Sequence, residues 1–258
     1  MQWISTTSVK TAERAYNVYL WNKKFPEDAV HRLVYSISME NAYHDSSEDG
    51  MRAELLAGLY FILKKSGPRE VNDGRNLNWH VSNPEVQSFL MEQPEKESLR
   101  PLFDYFRVRL NGITMVPMAG KVGNEAIITS QTWPRVELPY FWHKEELEAV
   151  FGTVQLTQSA LVKFSQLSVR HANASAIKIL RDRLKSEHMT EFELRDDYRA
   201  QQLEKYGVKD MKVFYHQHIP GVKLLFVINR GESWRLVDVF LFNHQKNRNA
   251  GKTAKEES

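Results

Sequence analysis

The chain contains no cysteine. That absence excludes a disulfide scaffold, a thiolate nucleophile and any zinc or iron–sulfur site held by thiolates. Long apolar runs are also missing: the longest, such as LLAGLYFIL at 55–63, falls far short of the ~20 residues a membrane-spanning helix needs. The first residues, MQWISTTSVKTAERAY, lack the basic start and apolar stretch of a secretory signal. A cytoplasmic location without membrane contact is therefore expected. There is no phosphate-cradling Gly-rich loop, no nucleophile elbow and no His-Glu-x-x-His, which leaves nucleotide-dependent chemistry and hydrolases of those kinds without support. No internal repeat and no dense basic run occur.

What is present argues for a folded protein. Of 258 residues 42% are hydrophobic, with six Trp, ten Tyr and thirteen Phe, enough apolar surface to offset chain entropy. The net charge of +3 conceals an asymmetry: residues 1–160 carry 17 Lys and Arg against 20 Asp and Glu, and residues 161–258 carry 18 against 12. A basic C-terminal part suits contact with a polyanion, although a solvated mixed-charge surface accounts for the same numbers.

Periodicity predicts an α+β protein: a mainly helical N-terminal body, then a C-terminal helix hairpin with an antiparallel β-sheet. The segment 7–25 places Val9, Ala12, Ala15, Tyr16, Tyr19 and Leu20 at helical spacings. After Pro26, the residues Ala29, Leu33, Val34 and Ile37 suggest a second helix. Residues 46–66 carry capping signals, an apolar body and a stopping Gly67-Pro68. Residues 67–84 read as loop, 84–93 and 98–110 as short helices, and 112–142 as an irregular linking segment with short strands. The expected domains are 1–142 and 143–248, with 249–258 as a mobile tail. The second begins with a helix at HKEELEAVFGTV (143–154), followed by two helices over 157–188 broken near 171–173. Strands FELR, MKVFYHQH, VKLLFVINR and RLVDVFLFNH complete it, the last as a central strand.

In an extended KVFYHQHI, Val213, Tyr215 and Gln217 face one way and Phe214, His216 and His218 the other, which would make the two imidazoles neighbours. Polar residues at strand ends are also what any sheet does with groups it cannot bury. The order helix, helix, strand, with FELRDDYR leading into MKVFYHQH, VKLLFVINR and a final apolar strand, resembles the RelE/ParE superfamily of small ribonuclease toxins. The resemblance covers roughly residues 157–248. It implies an α–α–β–β–β body with basic residues on the sheet and, in members that cleave messenger RNA, Lys, Arg, His or Tyr at the site. His216, His218, Arg230 and Arg235 would then be catalytic, and Arg195, Arg199, Lys212 and Lys246 would hold RNA. Cleavage through a 2′-hydroxyl needs a base, an acid and a cation for the phosphate, which imidazole and guanidinium groups supply. The chain is far longer than typical members and lacks a clear C-terminal Arg/Tyr arrangement.

Other constellations have bland readings beside the functional ones. RNLNWH at 75–80 fits the Arg-Asn-x-x-x-His pattern of the HEPN ribonucleases through Arg75, Asn76 and His80, but falls in a segment read as loop. His216 and His218 at i and i+2, with His244 or Asp238, form a metal-ligand alternative; solvated strand-end histidines are the simpler reading, and no metal or other cofactor is expected. DSSEDG at 45–50 is acidic but lacks EF-hand spacing, so a capping loop explains it. Trp133, Tyr140, Phe141 and Trp142 beside Arg135, His143 and Lys144 suit either base stacking or a hydrophobic seam. The leading expectation is a toxin-like or defence-related ribonuclease or translation inhibitor, metal-independent if it is an enzyme, acting on RNA or the ribosome. The alternatives are a non-catalytic protein-binding module, such as an antitoxin, inhibitor or phage-type regulator, and a nucleic-acid binder without chemistry.

Overall fold

A computed structural model describes residues 2–40, 42–64, 74–91, 94, 96–139, 145–168, 175–219, 222–228 and 234–241. The chain divides into two compact units, Met1–His143 and Lys144–Ser258. Both mix helices with one six-stranded sheet, so the α+β class holds.

The first unit is not a mainly helical body. Its opening segment forms β1 (Gln2–Ala12), β2 (Ala15–Trp21) and β3 (Arg32–Ser38), an antiparallel meander where two helices were expected. The cause lies in the burial of β2, whose residues Val18, Tyr19, Leu20 and Trp21 are all buried. Leu20 lies opposite Thr6, whose hydroxyl reaches Glu54 on α1 (Asp49–Lys64). On the other side, Tyr19 and Trp21 pack with Val122, Ala126 and Trp133. A strand covered on both faces shows no period of two, so its apolar residues also satisfied helical spacings. Helix α1 itself forms as the sequence predicts, after an Asp45 side chain that accepts from the Ser47 N–H.

The rest of the unit completes the sheet in the order β5-β4-β1-β2-β3-β6. Strand β4 (Leu77–Val81) runs parallel to β1, and β5 (Thr114–Pro117) runs parallel to β4. Helices α2 (Pro84–Met91) and α3 (Arg100–Arg109) lie between them in sequence, as predicted, and α4 (Gly120–Thr129) precedes β6 (Arg135–Glu137), parallel to β3. The segment 112–142 is therefore no linker up to residue 139, because it supplies both edge strands and one helix. The expected loop at 67–84 contains β4, all five of whose residues are buried. Gly58 explains how β4 meets α1: a Cβ there would lie 2.0 Å from the Trp79 ring, so only glycine admits the indole.

The second unit opens with β7 (Glu145–Ala149) and β8 (Gly152–Leu156), a hairpin in place of the helix expected from 143. Glu-rich helix propensity loses here to Gly152, whose φ of 119° any other residue would resist. Helices α5 (Gln158–Ser168) and α6 (Ala176–Leu184) follow as predicted, the latter capped by Ser175, which accepts from the Lys178 N–H. Then come β9 (Met189–Phe192), an unforeseen α7 (Asp196–Tyr206), β10 (Met211–His216), β11 (Val222–Ile228) and β12 (Trp234–Leu241). The sheet order is β7-β8-β12-β11-β10-β9. The strands β9 to β12 are antiparallel neighbours and β12 is internal, as expected. Helix α7 packs Tyr198, Leu203 and Tyr206 with Met211, Val213 and Phe240. Alternation turns Phe214 and His216 to the opposite face of β10, where Phe214 stacks on Phe151 at 3.9 Å. The joins at 220–221 and 229–233 and the tail from 242 lie outside the described residues.

Candidate functional site

Three imidazoles gather where β10 ends and β9 begins. Met189 pairs with His216 across the two strands, and that register brings His188, the residue before β9, to the same end of the sheet. The ring centroids of His188 and His218 are 4.3 Å apart, His188 and His216 5.8 Å, and His216 and His218 6.1 Å. His216 and His218 are indeed neighbours, but around a turn: β10 ends at His216, and the His218 N–H donates to His216 Nδ1 at 3.2 Å. A nitrogen that accepts carries no proton, so in neutral His216 the proton sits on Nε2 and points to Ser186 Oγ at 3.0 Å. Ser186 Oγ also accepts from the His188 N–H at 3.2 Å. The His216 pKa is lowered by burial first, then by the neighbouring His188, Arg183 and His218.

Arg183, in the last turn of α6, is the fourth member. Its guanidinium lies 5.0 Å from the Phe164 ring centroid and donates from Nη1 to Ser168 Oγ at 3.3 Å. Among the described residues its Nε is buried without a hydrogen-bond partner, and burial lowers its pKa. The only acid at the cluster among the described ion pairs is Glu187, 3.9 Å from His188 Nε2 and mostly exposed.

The expected sheet residues among the described residues do not join it. Arg235 neighbours Val227 and, beyond it, Met211, five positions from His216 and on the other side of the sheet, about 16 Å along the strand. Lys212 shares the His216 face but is held by Glu191 at 2.9 Å and by the Trp234 ring at 5.3 Å. Arg195 pairs with Asp197 at 2.9 Å, and Arg199 is exposed on α7. Arg230, Lys246 and His244 lie outside the described residues. Asp238 pairs with Lys163 and Lys205 rather than with an imidazole, and among the described residues no group of His, Asp or Glu is arranged to hold a metal ion. Sequence reasoning missed His188 and Arg183, because strand pairing and helix packing bring them in from outside the histidine-rich run.

The HEPN-like pattern does not form a helical pair. Asn76 is a turn residue at φ 62°, and His80 is a buried member of β4 whose Nε2 lies 3.0 Å from the Pro117 carbonyl oxygen. Trp133 and Arg135 belong to the first unit, Trp133 inside its core with Trp21; Tyr140, Phe141, Trp142, His143 and Lys144 are outside the described residues.

The first unit holds two polar clusters of another kind. Glu54, fully buried, accepts from Thr6 Oγ1 at 2.6 Å, Ser8 Oγ at 3.3 Å and the Ser82 N–H at 3.3 Å. Trp79 Nε1 in turn donates to Thr6 Oγ1 at 2.8 Å. Burial pushes the Glu54 pKa up to about 7 against the pull of those donors. Beside it, Asp49 is gripped by Arg14 at 3.0 Å and His44 Nε2 at 2.7 Å. A cavity of roughly 570 Å³ opens over Asn17, Ser36, Ser38 and Glu137, offering hydroxyls and a single carboxylate.

No helix among the described residues is long and apolar enough to cross a membrane. No protein-family model, curated protein or solved structure matches this chain.

Proposed function

We propose that the C-terminal unit acts on RNA as a toxin-like or defence-related ribonuclease or translation inhibitor, with its working groups at the β9–β10 end of the sheet. The observation that carries this reading is the convergence of His188, His216 and His218 within 6.1 Å. Imidazole is the side chain whose ordinary titration range spans neutral pH. Two imidazoles beside one phosphodiester supply the proton acceptor for the 2′-hydroxyl and the donor for the leaving oxygen. His188 and His218 are the exchanging pair, because both ring nitrogens of His216 already hold partners, Ser186 and the His218 N–H. His216 is a positioning residue that fixes the turn carrying His218. This departs from the assignment drawn from the family resemblance, in which Arg235 belonged to the catalytic group.

The test is induced expression with growth and RNA integrity followed together. Wild-type chain arrests growth and cuts RNA; His188→Ala and His218→Ala relieve both while circular dichroism stays unchanged. RNA retention that falls steeply with salt, without cleavage, leaves a nucleic-acid binder. An inert wild type leaves the protein-binding alternative. The occupied nitrogens of His216 favour the binder as the second reading.

A further inference from the structure

We propose that Arg183 anchors an oxyanion site that takes one phosphate group, with Ser186 and the three imidazoles forming its other walls. The inference rests on the reading of this cluster as the RNA site and adds which group holds the phosphate. It begins from a contrast among the arginines. Arg14 forks onto Asp49, Arg52 onto Glu48, Arg181 onto Asp182 and Arg195 onto Asp197. Among the described residues the Arg183 side chain meets only the Ser168 hydroxyl and the Phe164 ring, and no carboxylate stands within ion-pair distance of it.

A half-buried guanidinium without a counter-ion is unfavourable, and an unfilled Nε donor adds to the cost. The end of α6 contributes about half a negative charge at most, too little to neutralise a full cation. A bound anion removes both deficits. The Phe164 ring and Ser168 hydroxyl already fix the plane of the guanidinium, so little side-chain freedom is lost when the ligand arrives. Phosphate suits the site better than carboxylate because its oxygens point in several directions. Some can meet the guanidinium while others meet the His188 imidazole and the Ser186 hydroxyl, whose own proton is free because its oxygen accepts from the His188 N–H.

The experiment titrates inorganic phosphate into the full chain at constant ionic strength, with imidazole NMR signals as the readout and acetate as the competing anion. Phosphate should move the His188 and His216 signals saturably, and acetate should not displace it. Arg183→Met, which retains an apolar stem over Phe164, should weaken phosphate binding roughly tenfold or more. Arg183→Lys should keep part of it, and Arg181→Met should change it less than about twofold. Equal binding by wild type and Arg183→Met, or equal competition by acetate, overturns the inference. RNA cleavage separates the two readings. Phosphate binding lost in Arg183→Met with no RNA cut by wild type keeps the oxyanion site and removes the ribonuclease. Cleavage undiminished in Arg183→Met does the reverse.

Discussion

Each unit brings a cluster of ionisable groups out of water, but the two clusters treat them oppositely. In the first, Asp49 accepts from the Arg14 guanidinium and lies against the His44 ring, and Glu54 collects hydroxyl and backbone donors until its oxygens are served. In the second, Arg183 and three histidines are assembled with one weak, exposed acid nearby. A satisfied polar cluster stabilises one arrangement of the chain and has nothing left to offer a ligand. An unsatisfied one costs stability that only a bound partner returns, which is why the second cluster is the better place to look for function.

Substitutions of one charge in each unit put this contrast under the most strain. Asp49→Ala leaves Arg14 and His44 without their shared carboxylate and should cost about 3–5 kcal/mol in urea unfolding. Arg183→Met removes no ion pair and relieves an unfilled buried donor, so it should change stability by less than about 1 kcal/mol. Comparable losses in the two variants would make the second cluster structural as well.

The next effect depends on pH. Glu54 in the folded chain titrates at about 7 rather than the ordinary 4.5. The folded state therefore keeps a proton that the unfolded state releases. Its contribution is complete below pH 4.5 and is lost as pH rises toward 7, a swing of about 3 kcal/mol. Urea midpoints should fall between pH 5 and pH 8 in the wild type and fall much less in Glu54→Gln, a neutral isostere that can still accept from Thr6. Parallel curves for the two proteins would mean that the Glu54 carboxylate is not withheld from water.

A smaller effect distinguishes the open cluster. His216 should titrate below a free imidazole by NMR, held down by burial and by the charges of His188, Arg183 and His218. Arg183→Met should move that midpoint upward. A lowered folded pKa stabilises above the ordinary imidazole range, with the benefit lost as pH falls through the folded value. The smallest expected change belongs to Arg235→Ala, whose Nη2 meets Gln155 Oε1 at 3.5 Å. It should leave phosphate binding as it is, and a clear loss there would restore the sheet-wide site implied by the family resemblance.

Legibility in the sequence followed how evenly each element was buried. Helices α5 and α6, each with one apolar side and a cap before it, were readable from periodicity and capping residues, and α1, buried on nearly every side, from its capping loop and long apolar body. The strands β1 to β3 were not, because burial on both faces erased the alternation that marks a strand. The β7–β8 hairpin was hidden by three glutamates with good helix propensity, and only the backbone demand at Gly152 decides against them. At the site, His216 and His218 stood close together in the chain and were visible as a pair. His188 and Arg183 carried no local signal, since a lone histidine before a short strand and one arginine among several in a helix look like surface residues.

Composition and local pattern determined that this protein folds as mixed α and β without thiol chemistry, and that histidines crowd one strand end. Tertiary structure alone decided which cations meet them. The β9–β10 register brings in His188, α6 brings in Arg183, and strand alternation sends Arg235 to the far side of the sheet. The reason is that hydrogen-bond pairing and helix packing join residues distant in sequence, whereas alternation separates side chains that the linear order places together.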